Sequence, residues 1–362
     1  MKIITFYLPQ FHCIPENDLW WGKGFTEWTN TKAAKPLFNG HYQPREPYNQ
    51  NYYNILDAET RNWQAKLAKE YGIYGFCYYH YWFKGKQLLE KPLELVVESG
   101  DPSLPFCIAW ANEPWTRAWY ANREMEVLIP QEYGTKKDWE EHFNYLFKIF
   151  SDERYIKINN MPLLLIYRPE SINCCEEMLD YWDSLAKENG LDGIYYCRML
   201  TCFSSKNWAN RFSAQVEFEP GYTIKADPPL LWQFERLLRR AAKKIFRINS
   251  KYLLDIVNYD VIWQQILQRK HTTHTFLGAF VDWDNTARKP HDPMIISGST
   301  PSKFKTYLSK QIHRGKEQFN SEFIFINAWN EWAEGAYLEP DEKNGLSYLE
   351  AVRDALQENI GD

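Results

Sequence analysis

Eight short apolar runs recur along the chain, at Ile3–Leu8, Ile73–Tyr79, Pro105–Trp110, Pro162–Tyr167, Gly193–Arg198, Ser213–Glu217, Thr275–Val281 and Phe323–Ala328. Most are near-continuously hydrophobic instead of alternating, the pattern of strands buried on both faces. Amphipathic stretches lie in several of the gaps. Thr60–Tyr71, Lys136–Phe150, Cys175–Asn189 and Pro301–His313 read as helices, the second with Trp139, Phe143 and Phe147 at four-residue spacing. Gly190 supplies a stop after the third. Eight strands, each with a return segment, predict an α/β fold: a single (β/α)8 barrel, the TIM-barrel architecture, over residues 1–362, with its site in long loops after the strands. A doubly wound sheet would want a glycine-rich phosphate turn after an early strand. Gly22-Lys23-Gly24 lies well past the first run and lacks a third glycine, which favours the barrel.

One segment departs from this pattern, near 231–255. From Phe234 to Lys251 the basic residues Arg236, Arg239, Arg240, Lys243, Lys244, Arg247 and Lys251 fall on one arc of a helical wheel. Phe234, Leu237, Leu238, Ala241, Ile245 and Ile248 fall on the other, and Glu235 is the lone acid. Two readings stand: an outer barrel helix whose apolar face packs on the sheet, or a helix lying on an anionic membrane.

Composition narrows the function. Basic and acidic residues nearly balance, 42 against 47, and nothing in that total points to a nucleic-acid partner. Seven cysteines without regular spacing form neither a zinc nor a disulfide framework, so no metal and no cofactor is expected. The first residues are too short an apolar run for a signal peptide, and no stretch of about 20 apolar residues could span a bilayer. These features predict a cytoplasmic protein, with 234–251 the candidate for peripheral contact with the inner membrane. Aromatic residues make up 17%, with 16 Trp and 24 Tyr. That surplus either fills a large core or lines a site that stacks on sugar rings.

The strand ends favour the sugar site. They carry Tyr7, Trp21, Glu27 and Trp28 after the first run, and His80, Tyr81 and Trp82 after the second. Asn112, Glu113, Trp115 and Arg117 follow the third, Tyr167 and Arg168 the fourth, Asp284 and Arg288 the seventh, and Asn330 the eighth. Carboxylates and amides bind hydroxyl pairs, and indole faces stack on the C–H faces of a ring, so these sixteen are the candidate substrate-binding residues. Glycosyl transfer also needs a proton donor and a second group that stabilises or attacks the developing cation. Glu331 and Glu334 flank Trp332 just after the last strand and are the candidate catalytic pair; closeness would push one of them up in pKa. Glu113 is the alternative member. His80 is a base, a metal ligand or a donor to a hydroxyl, but no set of ligands accompanies it.

These same residues resemble a known family. Phe6-Tyr7-Leu8-Pro9-Gln10-Phe11-His12, Trp21-Gly22-x-Gly24-Phe25-Thr26-Glu27-Trp28, Tyr79-His80-Tyr81-Trp82, Trp110-Ala111-Asn112-Glu113-Pro114-Trp115 and Asn330-Glu331-Trp332-x-Glu334-Gly335 are similar to the WbsX polysaccharide-biosynthesis proteins, which carry a glycoside hydrolase family 99-like domain. The resemblance covers essentially the whole chain. It implies a retaining mechanism through a 1,2-anhydro sugar, with Glu331 as base toward the 2-hydroxyl and Glu334 as acid, then base. It also implies that Glu113 binds substrate, that Tyr167 lines the pocket, and that Asp284 and Arg288 belong to the seventh loop. Family 99 usually has His-Ile-Glu-Pro-Tyr where this chain has Ala111-Asn112-Glu113-Pro114-Trp115, and His at the position of Ala333. Mannose specificity is therefore not carried over. Three functions follow: transfer onto an oligosaccharide or lipid-linked glycan in surface polysaccharide (O-antigen or capsule) assembly, hydrolysis by a retaining endo-glycosidase, or glycan binding without catalysis.

Overall fold

The structure, a computed structural model, describes residues 1–117, 126–203, 211–246, 254–270 and 274–360. Eight parallel strands form the centre: β1 (Lys2–Tyr7), β2 (Ile73–Phe83), β3 (Phe106–Trp110), β4 (Met161–Ile166), β5 (Tyr195–Leu200), β6 (Ala214–Glu217), β7 (Thr275–Phe280) and β8 (Phe323–Asn327). Neighbours pair in sequence order, and β1 pairs both β2 (Thr5 with Phe76) and β8 (Ile3 with Ile324), which closes the ring. This is the expected (β/α)8 barrel.

The helices are α1 (Pro15–Trp21), α2 (Glu27–Ala33), α3 (Ala58–Glu70), α4 (Lys91–Ser99), α5 (Lys136–Phe150), α6 (Cys175–Glu188), α7 (Gly221–Lys225), α8 (Leu230–Phe246), α9 (Tyr259–Gln268), α10 (Pro301–Phe319) and α11 (Ser347–Glu358). The first two lie in the loop after β1. Most of the segment between β5 and β6 lies outside the described residues.

Both strand faces are buried, which explains the continuous apolar runs. Inside, Phe6 meets Tyr79, Phe218 and Phe325 at ring distances of 5.9, 5.0 and 5.6 Å. Outside, Trp110 packs on His142 of α5 and Trp182 of α6, and Trp263 of α9 stacks on Tyr307 of α10 at 5.3 Å. Burying each such aromatic contributes about 2–3 kcal/mol.

Two departures bear on function. The second strand runs on to Phe83 and turns back in a hairpin with Lys86–Leu88, so residues expected in a loop alternate across a strand. Helix α8 is docked through Trp232, Arg236 and Arg239. Trp232 is buried, Arg236 lies over its ring and bonds Asp255 at 2.7 Å, and Arg239 donates to the carbonyls of Leu254 and Ile256. The expected packing of its apolar face on the sheet is therefore overturned for the described residues; Arg247, Ile248 and Lys251 lie outside them.

Candidate active site

After β8 the chain forms a two-residue antiparallel pairing, Asn330–Glu331 with Ala336–Tyr337. Trp332–Glu334 make one 3-10 turn between them, closed by Gly335 at φ 65°. Glu331 enters this turn and Glu334 ends it, and both carboxylates reach the same arginine. The peptide N–H of Asp284 donates to the Glu334 carbonyl at 2.7 Å, which stitches the loop after β7 to this turn.

That loop delivers Arg288. One of its terminal nitrogens donates to Glu334 Oε1 at 2.6 Å; the other donates to Glu331 Oε2 at 2.8 Å and to Glu27 Oε1 at 2.7 Å. A planar guanidinium can serve several carboxylates at once because its donors are fixed in a fork. Glu27, at the start of α2, also accepts the Ala333 N–H at 3.2 Å. One cation thus faces three carboxylates. Burial pushes the Glu331 carboxyl up to about 8; Arg288 opposes this, while Glu334 and Glu27 add to it. Glu27 is raised by the same burial, against the pull of Arg288. The pair is unequally covered: the side chain of Glu331 is 6% exposed and that of Glu334 is 20%. The arrangement favours a proton on the deeper carboxyl and leaves the other nearer to solvent.

Comparison with known proteins fits this geometry. The family model described as glycosyltransferase WbsX matches residues 3–352. The chain belongs to the WbsX family. A protein of Xanthomonas campestris pv. campestris, named uncharacterized protein WxcX, is 35% identical over 357 residues, 98% of this chain and 49% of that protein. The chain spans about half the length of the curated relatives it matches. Among solved structures it resembles the family 99 endo-α-mannosidase of Bacteroides thetaiotaomicron, with TM-score 0.52 and 14% identity over 98% of this chain and 96% of that one. A glycoside hydrolase-like protein gives TM-score 0.60 at 11% identity over 98% and 93%. These two likenesses establish the shared barrel, and WbsX membership places the chain among carbohydrate-active enzymes.

Within this WbsX barrel the candidate residues divide into two sets. Tyr81 and Tyr167 lie close enough to the acidic cluster for charge on Glu334 to act on their hydroxyls. Glu113 pairs with Arg168 at 2.9 Å, with burial raising its carboxyl against that pairing. Trp115 meets the edge of Tyr81 at 5.2 Å, and Arg117 lies 5.7 Å from the Trp21 ring while bonding Glu126. Asp284 is buried one shell further out. Burial raises it, but His41, Arg45, Thr286 and Gln43 together hold it down at about 2.

The structure does not bring the second set to the cluster. Strand alternation turns His80 and Trp82 outward, where His80 bonds His142 at 2.8 Å and Trp82 stacks on His142 at 4.4 Å. Tyr7 likewise points away from the interior that Phe6 enters and donates to Gln64 of α3 at 2.6 Å. Trp28 is buried against Phe11 and Trp332 and donates to the Tyr53 carbonyl. Asn330 clamps both backbone groups of Leu8, and Asn112 bridges Arg168 and Tyr133. These six hold the loops in place.

Sequence reasoning missed three features. Tyr79 faces inward below the cluster and feels both Glu331 and Glu334; the period-two pattern beside Tyr81 was the available signal. Arg45 bonds Asp282 at 2.8 Å from the β1 loop, and no local pattern marks it. Glu339 accepts from Trp332, Gln64 and Tyr53 at 2.7, 2.7 and 2.8 Å, fixing the indole that separates the catalytic candidates.

Proposed function

We propose that the chain transfers glycosyl units with retention of configuration in the assembly of a bacterial surface polysaccharide, with Glu331 as base and Glu334 as acid and then base. The shared Arg288 fork carries this reading: it gathers two carboxylates of unequal burial from one turn. Glu331 takes the proton of the sugar's own 2-hydroxyl. O2 then attacks C1 as the bond from C1 to the leaving oxygen breaks, and Glu334 gives that oxygen its proton. The result is a 1,2-anhydro sugar. Ionised Glu334 next takes the proton of an acceptor hydroxyl, whose oxygen opens the strained ring at C1. The proton held by Glu331 returns to O2, and two displacements at one carbon retain the configuration. A base raised by burial toward the working pH suits the first step. The WbsX description as a glycosyltransferase supports a sugar acceptor over water.

The test is product analysis by mass spectrometry and proton NMR, with oligosaccharide and lipid-linked glycan acceptors and without any. Transfer with retention is expected. Release of free sugar without acceptor would assign the site to an endo-glycosidase, and inverted product would overturn the mechanism. The variant Glu334→Gln should lose turnover and keep glycan binding by calorimetry. Turnover at the wild-type rate in that variant would remove the catalytic assignment and favour a glycan-binding barrel.

A further inference from the structure

Independently of the chemistry at the barrel mouth, one surface has no partner among the described residues. Along α8, Leu230, Leu231, Phe234, Leu237, Leu238 and Ile245 are each between 55% and 82% exposed. Their spacing places them on one stripe about 25 Å long. On the opposite side Trp232, Arg236 and Arg239 meet the body of the protein, through the buried indole, the Arg236–Asp255 pair and the Arg239 bonds to the Leu254 and Ile256 carbonyls. A contiguous apolar stripe of this size on a surface marks an interaction site.

Charge selects the occupant. Residues 235–255 contain seven Lys and Arg against Glu235 and Asp255, which pair with Arg239 and Arg236 and leave Arg240, Lys243, Lys244, Arg247 and Lys251 as the excess positive charge. A second copy packed stripe to stripe would bring two segments of the same net charge near each other, which disfavours that pairing. An anionic bilayer surface matches both properties: it accepts apolar side chains below the headgroups and attracts basic residues at their level. No helix among the described residues is long and apolar enough to cross the bilayer, so the contact would be in its plane.

We propose that α8 seats the protein on an anionic membrane, with its Leu and Phe side chains inserted below the headgroups and its docked arc holding the barrel above them. Such seating keeps the chain on a surface where lipid-linked glycans reside.

The experiment is co-sedimentation of the purified full chain with vesicles of phosphatidylglycerol and phosphatidylethanolamine, against vesicles of phosphatidylcholine alone. Binding to the first set, weakened by added salt, is expected, with little binding to the second. The double variant Leu231→Glu/Leu238→Glu should lower the partition coefficient at least tenfold, and its exposed positions leave the circular dichroism spectrum unchanged. Lys243→Gln/Lys244→Gln should reduce binding less, and mainly at low salt. No binding of wild type to anionic vesicles, or equal binding by the Leu231→Glu/Leu238→Glu variant, would overturn the proposal. A wild-type dimer in solution that this variant dissociates, without vesicle binding, would overturn it in favour of self-association.

Discussion

Arg288 is the residue on which the acidic cluster depends, and its planar fork is the reason. A lysine at this position offers a point charge on a flexible stem and cannot hold Glu27, Glu331 and Glu334 together. Arg288→Lys is therefore expected to lower kcat by about 100-fold with a smaller change in KM, read from initial rates on the glycan substrate. Glu331 yields a prediction of opposite sign for stability. Its folded value, about 8, lies above the ordinary 4.5 because burial and two neighbouring carboxylates disfavour its charge. Its favourable contribution is full below pH 4.5 and is lost as pH rises toward 8. Glu331→Gln keeps the neutral form at every pH. Thermal denaturation should give the variant a Tm near wild type at pH 5 and about 2–4 °C higher at pH 8. A variant less stable at pH 8 would contradict the charge imbalance. In the wild type, kcat/KM should rise with pH toward about 8, since the base must be ionised to act.

At the scale of elements, the turn after β8 is held from two sides. Gly335 sits at φ 65°, and a Cβ there would lie 3.0 Å from the Asp284 nitrogen and 3.1 Å from the Arg45 guanidinium. Gly335→Ala should cost about 1–3 kcal/mol by denaturant titration and also lower kcat, because it moves the two loops that carry Arg288 and Glu334. From the other side, Glu339 fixes the Trp332 indole, so Trp332→Phe should reduce kcat while leaving glycan affinity nearly intact. Strand β2 shows why the site was only half legible in sequence. Tyr79, His80, Tyr81 and Trp82 are aromatic on both faces, so no contrast between polar and apolar positions tells which side faces the acidic cluster. The extension to Phe83 settles it, turning Tyr79 and Tyr81 inward and His80 and Trp82 onto α5. The same ambiguity separates Phe6 from Tyr7. Asn112 and Asn330 were misplaced for another reason: an amide that bonds backbone is indistinguishable in sequence from one that bonds hydroxyls.

For the whole molecule, the eight apolar runs each became a barrel strand, because parallel strands buried on both faces leave a continuous signal. The connections were less legible. The outward stripe of α8 depends on what packs against it, which spacing does not encode. The cluster itself was legible in its members, Glu27, Arg288, Glu331 and Glu334, but not in its wiring, which joins residues more than 250 positions apart. That wiring leaves the carboxylates engaged by a guanidinium, and no group of three metal-binding side chains occurs among the described residues. Dialysis against EDTA should leave turnover unchanged; a loss restored by magnesium or manganese would show metal-dependent transfer instead. One more consequence lies in the arithmetic of one guanidinium against three carboxylates. As pH rises through the raised value of Glu331, ionisation of that carboxyl adds negative potential at the mouth of the barrel. A nucleotide diphosphate would meet repulsion there, whereas a neutral glycan would not, and the positive charge that gathers on a sugar as its bond breaks would be welcomed. A donor whose leaving group is itself an uncharged sugar would suit such a mouth.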